Sequence, residues 1–123
     1  PVGGRAGQRS LQSLRDGQLL GLVGDQRFGG RGGVRLRMFG RELELPRGPA
    51  ILSLRSQAPV VPTFLIREGR WKFRLWIEPA IRPEASGDDD ASALPLLQRY
   101  AAVLERYVKR FPEQWLMFHS RLT

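Results

Sequence analysis

The chain has no cysteine, one histidine and only two lysines, and it contains no long hydrophobic run. Without cysteine there is no disulfide framework, no thiolate nucleophile and no zinc site of the cysteine type. With His119 as the single histidine, a catalytic base of that kind has one candidate, or lies outside the chain. No apolar stretch approaches the roughly 20 residues that a membrane-spanning helix requires, and no signal-peptide pattern is visible. The first residue is Pro1 rather than methionine, so an upstream segment able to hold an anchor is expected. A cytoplasmic setting agrees with the lack of cysteine. At 123 residues the chain makes one domain, 1–123, with a single modest core. A hydrophobic fraction of 41% with 26% charged residues is that of a folded protein rather than a disordered one.

What is abundant is arginine. Eighteen arginines and the two lysines Lys72 and Lys109 give a net charge of +8. Two readings stand side by side. Arginine, glycine, alanine and proline are enriched together, as GC-rich coding produces. The same charge attracts phospholipid headgroups, phosphorylated ligands, acidic carrier proteins or nucleic acid. Charge alone does not choose among them.

Along the chain, residues 1–9 are rich in glycine and arginine and are expected to be poorly ordered. Ser10 can cap a short helix carrying Leu11 and Leu14, ended by Asp16-Gly17. Leu19-Leu20-Gly21-Leu22-Val23 predicts a buried strand that ends at Gly24-Asp25-Gln26, the end at which open α/β sheets place their sites. Arg27–Gly33 reads as a mobile loop. Val34–Met38 alternates apolar and basic residues, so Arg35 and Arg37 share an exposed strand face. Phe39-Gly40-Arg41 turns the chain, and a helix begins at Pro49 with Ala50, Ile51 and Leu54 on one side. Val60–Ile66 predicts a second buried strand, and Glu68-Gly69 a turn. Trp71, Phe73, Leu75 and Ile77 then alternate with Lys72, Arg74 and Trp76. That pattern predicts a hairpin with Trp71 inside, and with Trp76 on a basic face beside Lys72 and Arg74. Asp88-Asp89-Asp90 can hold a metal or favour the positive end of the next helix, and the second reading is preferred. That helix spans about 94–111, its stripe being Leu97, Tyr100, Ala101, Leu104, Tyr107, Val108 and Phe111. Pro112 stops it, and residues 112–119 predict one or two further helical turns. The fold class expected is α/β: a mostly parallel central sheet flanked by helices, a C-terminal antiparallel strand pair and a long C-terminal helix.

Leu45-Pro46-Arg47-Gly48-Pro49-Ala50 carries the clearest chemistry. It sets an arginine and a glycine at a helix start, where unpaired N–H groups and a guanidinium can hold a phosphate or carboxylate. The alternative is a solvated Arg47 and a Gly48-Pro49 pair that merely opens the helix. Arg35, Arg37, Lys72, Arg74 and Trp76 make a candidate surface for an anionic membrane or a partner.

Taken in order, Gly24-Asp25-Gln26, Phe39-Gly40-Arg41, Leu45–Ala50, Ala58-Pro59-Val60-Val61-Pro62, Glu105 and Pro112-Glu113-Gln114-Trp115 with His119 and Arg121 resemble one known family. They are similar to the C-terminal part of the lipid A biosynthesis (late) acyltransferases, within the lysophospholipid acyltransferase superfamily. The resemblance covers about 11–121 and less than half of a typical member. It implies transfer of a fatty acyl chain from a thioester of acyl carrier protein or coenzyme A to a hydroxyl of a lipid A-type or other phosphorylated glycolipid. It also implies work at the cytoplasmic face of the bacterial inner membrane, with no metal and no further cofactor. The superfamily's base is a histidine in a His-x4-Asp/Glu motif, which this chain lacks. His119 matches a C-terminal tryptophan–histidine–arginine segment instead. By the same resemblance Arg47 and Gly48 stand in the phosphate-binding block, where glycerolipid enzymes have glutamate before the glycine. Asp25 and Gln26 follow the central strand on the acceptor side, and Pro59 and Pro62 pack behind the site.

The leading reading is therefore an acceptor-binding part of an acyltransferase, soluble and inactive alone. An open sheet edge would invite a homodimer. The alternatives are a non-catalytic basic module for anionic lipid or a carrier protein, and a nucleic-acid-binding domain. The last is disfavoured by aromatics that sit in apolar-patterned segments and by the lack of a binding motif.

Overall fold

A computed structural model of the chain describes residues 4–24, 33–84, 87 and 89–114. Among them are α1 (Arg5–Arg15), β1 (Gly33–Met38), β2 (Arg41–Pro46), α2 (Gly48–Ser56), β3 (Thr63–Arg67), β4 (Phe73–Ile77) and α3 (Asp90–Arg110), with a 3-10 turn at Pro112–Gln114. The strands form two antiparallel two-stranded sheets, β1–β2 and β3–β4.

In β1 the side chains of Val34, Leu36 and Met38 are buried while Arg35 and Arg37 face outward. β2 has no counterpart among the expected elements, although Glu42-Leu43-Glu44-Leu45 alternates as plainly as β1. The register sets Val34 opposite Leu45, Leu36 opposite Leu43, Arg35 opposite Glu44 and Arg37 opposite Glu42. One face of the ladder is thus apolar and the other pairs opposite charges. Phe39 (φ 57°) and Gly40 (φ 69°) form the two-residue connection, the pair of left-handed residues that suits the twist of a hairpin. Phe39 tolerates that conformation with help: its N–H donates to Glu105 Oε1 of α3 at 3.0 Å.

α2 buries five consecutive residues, Ala50–Leu54, so it is a core helix rather than an amphipathic one. Its exit is fixed by short polar side chains. Gln57 takes the left-handed cap position (φ 60°) and its amide donates to the Leu54 carbonyl at 2.7 Å. The Ser56 hydroxyl donates to the Leu52 carbonyl and accepts the Ala58 N–H. α3 starts at Asp90, four residues before the expected boundary, because Asp89 Oδ1 accepts the Ser92 N–H at 2.8 Å and caps it. Ala93, Leu96, Leu97, Ala101 and Leu104 form its buried stripe, packed on β1 and α2.

Several expectations are corrected. A mostly parallel central sheet is not found among the described residues. It required Leu19–Val23 as a paired strand, and that run is unpaired, with Leu19, Leu22 and Val23 exposed. Helix α1 begins at Arg5, inside the segment expected to be irregular, and the Ser10 hydroxyl bonds the Ala6 carbonyl within the helix instead of capping it. One of the further helical turns expected after Pro112 is present, as a 3-10 turn at Pro112–Gln114, and residues 115–119 lie outside the described residues. The β3–β4 hairpin is present with its faces exchanged. Trp76 packs edge-on to Tyr107, ring centroids 6.2 Å apart, and Phe64 stacks on the same ring at 3.8 Å. Trp71 is 86% exposed. Both faces of β4 carry large apolar residues, so alternation alone could not say which one meets α3.

That exchange is testable. Trp76→Ala should cost about 3 kcal/mol, whereas Trp71→Ala should stay within about 0.5 kcal/mol. Urea unfolding of the two variants checks it, and the reverse ranking would restore the facing read from the alternation.

Candidate functional site

An apolar cleft of about 440 Å³ lies between the 20–24 segment, the start of α2, residues 58–64 and α3. The volume is within the range usual for small-ligand sites. Pro46, Pro49, Pro59, Val61 and Pro62 are among its lining residues. Leu97 and Tyr100 of α3 lie at its base. Segment 58–62 is held rigidly. The buried Ser53 hydroxyl donates to the Ala58 carbonyl, and Val60 exchanges both backbone hydrogen bonds with Ile81, at 2.9 and 2.7 Å. Prolines at 59 and 62 carry no N–H to leave unsatisfied along the cleft. At Gly24 a Cβ would sit 2.9 Å from the Tyr100 hydroxyl, so a larger residue there would make the Tyr100 side chain shift.

Beside the cleft, the first turn of α2 bears the expected anion-binding residues. Ile51 N–H is the first to bond back, to the Arg47 carbonyl at 3.0 Å. The N–H groups of Gly48 and Ala50 precede that bond, as at any helix start. Arg47 does not hang free. Its guanidinium pairs with Asp90 at 3.0 Å and donates to the Gly33 carbonyl at 3.3 Å. The N-terminal ends of α2 and α3 therefore meet across one ion pair. Asp90 offsets the positive ends of both helices as well as the arginine. The Arg47 side chain remains 40% exposed, and its Nε is buried without a partner among the described residues. Any anion that binds here competes with Asp90 for the guanidinium.

Asp25 and Gln26 lie outside the described residues, as do Asp88, Trp115, His119 and Arg121. Gly24, which immediately precedes Asp25, lines the cleft. The two neighbouring acidic residues, Asp89 and Asp90, serve as a helix cap and an ion-pair partner. No acidic or histidine cluster able to hold a metal is found among the described residues.

Of the five residues expected to form a membrane or partner surface, Lys72, Arg74 and Trp76 lie together, with the Arg74 guanidinium 5.9 Å from the Trp76 ring, while Arg35 and Arg37 belong to the other sheet. Arg35 pairs with Glu44 at 3.6 Å. Lys72 and Arg74 share Glu68, at 3.8 and 2.8 Å. Trp76 is packed between the hairpin and α3, with the Arg110 guanidinium 5.2 Å from its ring. Arg37 faces outward opposite Glu42.

Other residues do more than their patterns announce. Gln114 mimics a strand: its side-chain amide accepts the Arg67 N–H at 2.7 Å and donates to the Arg67 carbonyl at 3.0 Å. That occupies part of the β3 edge not paired with β4. The Tyr107 hydroxyl donates to Glu78, joining α3 to the end of β4. Burial, then that hydrogen bond and the nearby carboxylate charge, push the phenol up to about 12.

The sequence comparison bears on all of this. Residues 5–123 match the family described as bacterial lipid A biosynthesis acyltransferase. The chain belongs to that family. No curated protein and no solved structure matches it. As a member of the lipid A acyltransferase family, the chain brings two of the blocks that carried the resemblance to one place: Pro46 and Pro49 line the same cleft as 58–62. Two others, Glu105 and Gln114, act as backbone clasps, on Phe39 and Arg67.

Two pH effects follow. The Asp89 carboxyl is held below its ordinary value of 3.8, first by the hydrogen bonds from Ser92. Its stabilisation is complete above the unfolded value and is lost as pH falls through the lowered one. Asp89→Ala should lower stability at neutral pH, and Asp89→Asn should keep the cap while removing this acid-limb dependence. For Tyr107 the sign is opposite. Its contribution is complete below the ordinary 10.0 and is lost as pH rises toward about 12. Tyr107→Phe should flatten that alkaline limb. Denaturation midpoints across pH check both.

Proposed function

We propose that this chain supplies the substrate-handling part of an acyltransferase that moves a fatty acyl chain from a carrier thioester to a hydroxyl of a lipid A-type acceptor. The observation that carries the reading is the shared cleft. Residues of two separate family blocks, Pro46 and Pro49 of one and 58–62 of the other, line one space of about 440 Å³, and Arg47, between those two prolines in sequence, stands at the start of α2. An aliphatic tail suits walls made of leucine, valine and proline. A phosphate on the acceptor suits Arg47 with the N–H groups of Gly48 and Ala50, once Asp90 gives way. Asp25 and Gln26, following Gly24 at the cleft wall, are assigned to the acceptor side. The donor is a thioester of acyl carrier protein or coenzyme A, and the parent enzyme works at the cytoplasmic face of the bacterial inner membrane.

Chemistry requires a base to take the acceptor hydroxyl proton as the oxygen attacks the thioester carbonyl and the thiolate leaves. No His-x4-Asp/Glu motif exists in this sequence, whose one histidine is His119. The isolated chain is therefore expected to bind without turnover.

The test is a titration of the chain with a fluorescent long-chain fatty acid. Val61→Trp places a ring at the exposed rim of the cleft, where Val61 is 46% exposed, and should weaken binding more than tenfold without loss of fold. Unchanged affinity in that variant would remove the cleft from the acyl site. Acyl transfer by the isolated chain would overturn the division of labour.

A further inference from the structure

We infer that the outward face of the β3–β4 hairpin is a docking surface for an anionic lipid bilayer. This does not rest on the acyl-transfer reading. One face of the hairpin is closed by α3 through Phe64 and Trp76 stacked around Tyr107. The opposite face has no cover among the described residues. Cross-strand register places Leu65 opposite Leu75, Thr63 opposite Ile77 and Arg67 opposite Phe73, so these six share that face. Leu65, Phe73, Leu75 and Ile77 are between 53% and 67% exposed. Four large apolar side chains side by side in water are a patch that marks an interaction site.

The occupant is chosen by what surrounds the patch. At the hairpin tip the Arg70 guanidinium lies over the Trp71 ring at 5.9 Å, and Arg67 lies over Phe73 at 5.9 Å. Neither arginine has a carboxylate partner among the described residues. Arg67 donates only to the carbonyls of Gly69 and Arg70, at 3.1 and 2.8 Å. The other two cations of this hairpin are matched: Lys72 and Arg74 share Glu68. Within the hairpin, unmatched charge thus stands where the aliphatic face ends and an exposed tryptophan begins. A bilayer has that same order: hydrocarbon, an interface that favours tryptophan, then anionic headgroups. A second copy of the chain would cover the apolar residues but offers no counter-charge, since it also carries +8. Nucleic acid would answer the arginines and leave the aliphatic residues exposed.

The experiment uses the whole chain with vesicles of phosphatidylcholine alone and of phosphatidylcholine with phosphatidylglycerol. The chain should co-sediment with the anionic vesicles, more weakly at high salt, and its tryptophan emission should shift to the blue. Trp71→Phe should abolish most of that shift. The double variant Leu65→Ser/Leu75→Ser should lower binding more than tenfold, and Arg67→Gln or Arg70→Gln should each lower it about fivefold. Arg35→Gln/Arg37→Gln should lower it less than either. All these side chains are exposed, and circular dichroism confirms that each variant is folded. Full binding by the folded hairpin variants would overturn the proposal, as would no binding by the parent chain. A dimer that dissociates in Leu65→Ser/Leu75→Ser without vesicle binding would reassign the face to a second copy. Equal affinity for an oligonucleotide, lost in the same arginine variants, would reassign it to nucleic acid.

Discussion

A two-stranded sheet is marginal in water by itself, and this chain has two of them. Both depend on α3. The β1–β2 hairpin lays Val34, Leu36 and Leu45 into the core cluster that includes Leu96, Leu97, Ala101 and Leu104. The β3–β4 hairpin meets the same helix one to two turns later, at Tyr107. Polar contacts pin each docking: Glu105 accepts from the Phe39 N–H, and Tyr107 donates to Glu78. Burial supplies most of the stabilisation, and the hydrogen bonds fix where along the helix each hairpin sits. If α3 loses its cap or its stripe, both hairpins lose their support together.

The cleft follows from that arrangement. Because α2 is buried along its middle and α3 is shared, the 58–62 segment must cross between them as extended chain. Ser53 and Ser56 receive it from α2, and the Val60–Ile81 bridge continues it toward β3. Its prolines leave a smooth apolar wall with few donors to satisfy. The 20–24 segment, which also lines the cleft, has no strand partner among the described residues and exposes Leu22 and Val23. One side of the cleft is thus fixed by hydrogen bonds and the other mainly by packing. That asymmetry suits a site which admits a long flexible ligand.

Much of this was legible in residues, and what was not has a physical reason. The strand β1, its turn, the start of α2 and the buried heart of α3 each follow from period and from one punctuating residue such as Gly40 or Pro49. The stripe of α3 holds at Leu97, Ala101 and Leu104, with Tyr100 and Val108 packed against the core; its first turn, Ala93 and Leu96, was missed because the cap at Asp89 also belongs to an acidic run that reads as loop. Leu19–Val23 has the composition of a central strand, yet a strand exists only with a neighbour to pair, and composition cannot report one. Trp71 and Trp76 differ in facing by one residue in a segment apolar on both sides, so Tyr107, 31 positions beyond Trp76 in the sequence, decides the matter. For the site, the 45–50 block pointed to the α2 start correctly. Its pairing with Asp90 was beyond the sequence, since it joins residues far apart through a geometry that only the folded core creates.

The Arg47–Asp90 pair also constrains how an anion can be received. Two helix N-termini and a guanidinium in one place make a strongly positive corner. Left bare, it would repel itself. Asp90 relieves that repulsion in the folded chain and holds the ends of α2 and α3 together. An incoming phosphate brings more charge than one carboxylate and can take over the arginine and the α2 N–H groups, but it must then displace Asp90. The exchange costs little, because the pair is partly exposed and such pairs are weak. It also frees the ends of α2 and α3 from each other at the rim of the cleft, where Pro46 and Pro49 stand. Headgroup binding and access for the chain would thus be coupled through one ion pair, with the direction set by which anion Arg47 holds.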